Sequence, residues 1–221
     1  VSGSTHMVSS LDLNGTVTCG QNIYLPSTTA SKGCIFSNGT RALHFFGAGN
    51  TFAGTNVANV TLTGSGNTMV GDVAYFAGTS GSNNSGVGAG VLNSNTSGVA
   101  NTASGYRASF KNTTGSSNTA VGYHSCYENA TGGHNVGIGE YALNANTGSY
   151  NIGLGAVTHN GGSLTTGSYN ICIGHAGVAA ESNTTRIGDN NQTRTFVSGV
   201  RGVSTDSVDR QVAVVDANGQ L

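Results

Sequence analysis

Charge is scarce in this sequence. Of its 221 residues only 8% are Asp, Glu, Lys or Arg, against about 25% in an ordinary soluble domain. The few charges sum to −1 and are scattered. That excludes the basic stripe with which proteins hold nucleic acid and the basic amphipathic helix that lies on a membrane surface. No apolar run approaches the roughly 20 residues of a membrane-spanning helix, so no membrane insertion is expected. Val1–Met7 has neither the positive start nor the apolar stretch of a signal peptide. Tryptophan is absent, and Pro26 is the one proline. The four cysteines, Cys19, Cys34, Cys126 and Cys172, stand too far apart for a CxxC zinc or redox site. Buried thiols are the simplest reading. A Cys19–Cys34 bond and bonds between chains of an oligomer are the alternatives.

What fills the space is glycine, 36 of the residues, together with Ser, Thr and Asn. Such a composition can mean a disordered linker. Here, however, 36% of residues are apolar, and they recur at fixed slots, which argues for a folded repeat. An asparagine returns every 17 residues at Asn50, Asn67, Asn84, Asn101, Asn118 and Asn135, and less strictly at Asn151, Asn170 and Asn183. A glycine follows four residues behind most of them: Gly54, Gly71, Gly88, Gly105, Gly122, Gly139, Gly155 and Gly174. A short fixed period means one unit stacked on copies of itself.

Neither segment of a unit is long enough for a helix, and glycine recurs too often for one. In the unit Asn118–His134, the first segment runs from Asn118 to Gly122 and the second lies around Tyr123–Tyr127. Period-two alternation points to strands. The fold class is therefore all-β: a parallel β-solenoid, or β-roll, of about 17-residue coils with two short strands each, stacked at roughly 4.8 Å. Stacked asparagines can bond side chain to side chain as a ladder. The glycine column permits positive φ or a close approach of coils at each corner. A Thr/Ser-Gly turn recurs from Thr63-Gly64 to Thr166-Gly167.

Seven Phe and eight Tyr make a thin core, which is marginal for one chain alone. A second face is thus expected to be buried against sister chains. Part of the column Ala74-Tyr75, Val91-Leu92, Ala108-Ser109-Phe110, Ser125-Cys126-Tyr127 and Ala142-Leu143 is the candidate. Three regions follow: residues 1–32 as an extended cap or shaft, 33–190 as the solenoid, and 191–221 as an exit segment. Gly33–Ser37 precedes Asn50 by one period and mimics a first coil strand.

The Asn118–Tyr123 pattern resembles the head repeats of trimeric autotransporter adhesins and the repeats of phage and bacterial tail-fibre proteins. Gly33–Gly47 followed by Asn50–Gly54 is similar to the entry into such repeats. Val197–Gly202 with Val215–Leu221 resembles what precedes an endosialidase-type intramolecular chaperone, which trimerises a fibre and then cuts itself off. The resemblance implies a homotrimer, intertwined or side by side, on a virion or cell surface. It also implies that Leu221 is either an autocleavage end or a truncation.

Chemistry is thinly represented. The six histidines share no slot of the repeat, so no metal column is implied. The nine acids include no paired-carboxylate site of the kind glycosidases need, and no catalytic residue or cofactor is expected. Tyr106, Tyr123, Tyr127, Tyr141, Tyr150 and Tyr169 either stack against glycans or fill the core and the interchain seam. Nine Asn-x-Ser/Thr sequons, Asn59 and Asn112 among them, are what chance yields in so Asn- and Thr-rich a chain. The expected function is a rigid trimeric fibre or adhesin segment, outside the cell or on a virion, self-associating and contributing to host attachment. End-to-end filament growth is a further expectation. A module that binds cell-surface glycan or another receptor is the alternative. An ice-binding solenoid is a weaker one, because the Thr after each Asn fails at Val136, Ile152 and Ile171.

Overall fold

The computed structural model describes residues 34–156, 166–189 and 191–192. The expected strands at Leu11–Leu13, Ile23–Leu25 and Gln211–Asp216, the insertion at His159–Ser163 and the Val197–Gly202 motif lie outside the described residues.

Two strands open the sheet, β1 (Ile35–Ser37) and β2 (Thr40–His44), paired antiparallel. Asn38 and Gly39 between them both have positive φ, 49° and 74°, as a tight two-residue hairpin turn requires. β2 then lies antiparallel to β3 (Thr51–Ala53). From β3 onward every pairing is parallel, through β4 (Thr68–Val70), β5 (Ser85–Val87), β6 (Thr102–Ser104), β7 (Thr119–Val121), β8 (Val136–Ile138), β9 (Ile152–Leu154), β10 (Ile171–Ile173) and β11 (Thr185–Ile187). The strands form one 11-stranded sheet in sequence order. Nine parallel strands make eight steps, so the all-β solenoid has about eight turns, spanning on the order of 40 Å at the usual strand spacing. The compact unit closes at Gly188, and Asp189–Leu221 forms a second unit.

Three expectations are corrected. Gly33–Ser37 is not a first coil: β1 belongs to the antiparallel hairpin that lies before the first coil. Asn183 is not the next ladder residue. Ile171 pairs with Thr185, so Thr184 stands opposite Asn170, and its N–H donates to Asn170 Oδ1 at 3.1 Å. The second segment of the coil is not a strand. It is a turn built on left-handed residues, with φ near 50° at Val73 and Tyr75, at Arg107 and Ser109, and at His124 and Cys126. Left-handed residues reverse the chain locally, and their N–H groups are still used between coils. Val73 N–H donates to Thr55 O in the coil before, at 2.9 Å, and Tyr75 N–H to Val91 O in the coil after, at 3.0 Å.

The same segment fills the core. Ala74, Tyr75, Val91, Leu92, Ala108, Ser109, Ser125, Cys126, Ala142 and Leu143 are all buried within their own chain, so these residues cannot line an oligomer axis. Only Phe110 and Tyr127 of the expected column keep partial exposure. The strands contribute little volume. Their middle residues point inward, as Phe52, Met69, Gly86, Ala103, Ala120, Gly137, Gly153 and Cys172. Small residues here leave room for the bulk on the opposite turn: a Cβ on Gly86 would sit 2.7 Å from Met69 Sδ and 3.0 Å from Val91 Cγ1.

Candidate functional site

The asparagine ladder exists and is buried from Asn50 to Asn170. Asn101 shows its wiring. Its Nδ2 donates to Asn84 Oδ1 at 3.1 Å and to Gly115 O at 2.9 Å. Its Oδ1 accepts from the backbone N–H of Asn118 at 3.0 Å and from Asn118 Nδ2 at 3.1 Å. Each rung thus satisfies backbone groups that the corner of the coil would otherwise leave buried and unpaired. The glycine column supports it. From Gly54 to Gly155 the φ values lie between 111° and 144°, and a Cβ on Gly105 would meet Gly122 O at 2.4 Å. Gly174, with φ 60° and open space around it, marks the end of that crowding. These sixteen residues are a structural spine.

A second asparagine column with the same period escaped the sequence reading: Asn95, Asn112, Asn129 and Asn146, all buried, with one bond between neighbours, Asn112 Nδ2 to Asn95 Oδ1 at 3.0 Å, and with the Asn112 and Asn129 oxygens unpartnered. Their Nδ2 atoms donate to the carbonyls of Gly98, Gly115, Gly132 and Gly148 at 2.9–3.1 Å. One period earlier Gly78 takes the slot, and the Tyr75 ring fills it: a Cβ there would lie 2.4 Å from Tyr75 Cε1. The Tyr75 hydroxyl then donates to Gly81 O at 3.0 Å, and burial pushes its pKa up to about 12. Asn112, in a sequon, is 1% exposed, and its amide nitrogen is engaged by Asn95 Oδ1 and Gly115 O.

Two outward faces carry different residues. On the strand face the third strand position forms a largely apolar column, Val70, Val87, Val121, Ile138, Ile173 and Ile187 being 38–66% exposed, with Leu154 less exposed and Ser104 as its polar member. The first position carries hydroxyls at Thr51, Thr68, Ser85, Thr102 and Thr119, then Val136, Ile152 and Ile171. No charged residue occurs in β3–β10.

The turn face, after the corner glycine, carries every charge between Asn50 and Gly155: Asp72, Arg107, Lys111, Glu128 and Glu140. It also carries stacked rings. Tyr106 stacks on Tyr123 with centroids 5.4 Å apart, and Phe110 on Tyr127 at 5.3 Å. His124 lies flat between Tyr123 (4.2 Å) and Tyr127 (4.5 Å). The Arg107 guanidinium covers both Tyr106 and Phe110 at 5.1 Å. Lys111 pairs with Glu128 at 2.8 Å, an exposed contact of small energetic weight. His124 is held below the ordinary histidine pKa by burial first and by the Arg107 charge second.

At the corner before the ladder, His134, Tyr150 and Tyr169 stack 4.7 and 4.8 Å apart, close to the strand spacing. All six tyrosines named from the sequence are thus outside the core, whose one tyrosine among the described residues is Tyr75. His175 Nδ1 accepts from Gly177 N–H at 2.7 Å. Burial drives the Cys126 thiol pKa up to about 12, which leaves it a poor nucleophile. No group of three or more His, Cys, Asp or Glu suited to a metal ion occurs among the described residues. Compared with protein-family models, curated proteins and solved structures, the chain has no match.

Proposed function

We propose that this chain is the stiff segment of a homotrimeric surface fibre or adhesin, carried on a virion or cell and contributing to host attachment. The observation that carries the reading is the apolar column on the strand face. An uncharged stripe from Val70 to Ile187, with exposed branched side chains on six of its eight strands, exceeds the isolated apolar residues normal on a monomer surface. Covering it with the same column of a sister chain removes apolar area from water at about 25 cal/mol per Å². The number three comes from the resemblance of the Asn118–Tyr123 repeat, and the role in attachment from the same source. Stiffness follows from the asparagine ladder that runs from Asn50 to Asn170. The reading contains no catalytic step.

Sedimentation equilibrium of the full chain tests it. The expected mass is about three times the 22.0 kDa of one chain. Val121→Asp combined with Ile138→Asp places charges in the stripe and is expected to give a folded monomer, with unchanged circular dichroism. A native chain that sediments as a monomer overturns the proposal, as does an Asp variant that still trimerises.

A further inference from the structure

The turn face is interrupted once. At the two positions after the corner glycine, neighbouring coils carry Asp72-Val73, Tyr106-Arg107, Tyr123-His124 and Glu140-Tyr141; the coil between the first two carries Ala89-Gly90. The missing side chains leave a notch of about 330 Å³, at the lower end of the range for small-ligand sites. Its floor is Ala89, Gly90 and Asn93. One wall is Asp72, Val73 and Phe76, and the other is Tyr106, Arg107 and Phe110. The walls belong to coils two steps apart, so they stand about 9–10 Å from each other. That spacing admits one ring in van der Waals contact with both sides, at roughly 3.5–4.0 Å per contact.

The chemistry of the notch is mixed in a particular way. Phe76 is 56% exposed, an unusual state for a large ring; across the notch the Tyr106 and Phe110 rings carry the Arg107 guanidinium and stack on Tyr123 and Tyr127. Asp72 accepts from the Thr55 hydroxyl. The Asn93 amide nitrogen is engaged with Val73 O at 2.8 Å, which leaves its oxygen as an acceptor. Arg107 makes no ion pair among the described residues; its guanidinium is held flat by two rings and keeps its donors at the edge. An apolar ring on one side, a guanidinium plane on the other and acceptors between them match an object with C–H faces and a hydroxyl rim.

We propose that the Ala89–Gly90 notch binds a single hexopyranose residue of a glycan. Phe76 receives one C–H face, the Arg107 guanidinium lies on the other side and donates to hydroxyls at its edge, and Asp72 and Asn93 accept from ring hydroxyls. The site lies on the face opposite in chemistry to the apolar stripe, and it stands whether or not the chain trimerises.

Saturation-transfer NMR of the full chain with millimolar glucose, galactose, N-acetylglucosamine or glucuronic acid tests this. Transfer to ring C–H protons of at least one sugar is expected. Ala89→Tyr fills the notch with the residue already present at that position one and two coils later, so it is compatible with the fold. It is expected to weaken transfer by about tenfold or more, the scale of about 1.4 kcal/mol, with unfolding and sedimentation unchanged. Phe76→Ala is the second variant, should the first disturb the fold, with the same expected loss. Arg107→Gln that abolishes transfer to glucuronic acid and spares the neutral sugars supports the assigned role of Arg107. Silence with all four sugars overturns the proposal, as does full transfer to Ala89→Tyr, or transfer only to a tyrosine-containing peptide used as control.

Discussion

The strand face and the turn face of one coil are held by the same kind of hydrogen bonding between coils, yet they present opposite chemistry. On the strand face Thr119 and Val121 point outward between Thr102 and Val136 and between Ser104 and Ile138 one coil away, and nothing charged interrupts them. On the turn face Tyr123, His124, Tyr127 and Glu128 follow a column that changes from coil to coil. The strand face is uniform in class rather than in identity, small hydroxyl or branched apolar residues stacking on one another from coil to coil. The turn face varies because left-handed residues aim alternate side chains away from the stack, where a charge or a ring is solvated. A repeating surface suits self-association, and a varied surface suits the recognition of something else.

The comparison is sharpened by separating the spine from the faces. Asn101→Ala deletes four hydrogen bonds and leaves a buried N–H at Asn118 unpaired, while the Gly115 carbonyl keeps its bond from Asn112. The expected loss is about 4 kcal/mol, read as a shift of the urea midpoint. Thr102→Ala, one residue on but outward on the strand face, is expected to change stability by less than about 0.5 kcal/mol. Equal effects would dissolve the distinction between spine and face.

A smaller effect is expected where the hairpin meets the first coil. His44 is fully buried and packs on Phe52 at 4.9 Å. Its Nε2 reaches Val57 O at 3.0 Å, while Nδ1 has no partner. A neutral ring with the proton on Nε2 satisfies that geometry, and burial lowers its pKa from 6.5. The unfolded chain therefore binds the proton more readily than the folded one, and stability falls as pH drops below 6.5. Thermal melts across that window are expected to show a falling midpoint in the native chain and a flatter one in His44→Phe.

The smallest expected effect concerns backbone strain. Ala100 sits at the corner before the ladder with φ 56°, and its N–H donates to Ser82 O at 3.0 Å. A left-handed alanine costs roughly 1–2 kcal/mol. Glycine relieves that and gives back about 0.5–1 kcal/mol through the freer unfolded chain. Ala100→Gly is expected to stabilise by about 0.5 kcal/mol, measurable by chemical denaturation. A destabilisation would mean that the corner is not strained.

Much of the fold was legible because stacking demands identity. The asparagine and glycine columns announce both the period and the coil, and the alternation Asn118, Ala120, Gly122 correctly gives the inward side. The turn segment was not legible as a turn. Tyr75, Leu92 and Cys126 look like strand residues, and positive φ at such residues leaves no mark in composition. The second asparagine column was legible and overlooked: Asn95 to Asn146 keeps the same 17-residue step, but one period before Asn95 the slot belongs to Gly78 and is filled by Tyr75. The apolar stripe was hidden by habit. Branched residues usually go inside, whereas here the narrow strand buries Gly86, Ala103 and Ala120 and turns Val87 and Val121 outward. The notch at Ala89–Gly90 is visible only once the coils are in register, since it consists of what two positions lack relative to their neighbours.

Each parallel strand touches only the strand before it and the strand after it. A coil can therefore be gained or lost by duplicating or deleting one 17-residue stretch, with no other contact to renegotiate. Length in such a molecule is a counted quantity. It changes in whole steps of about 4.8 Å, and a lineage can tune the reach of the rod without redesigning either face.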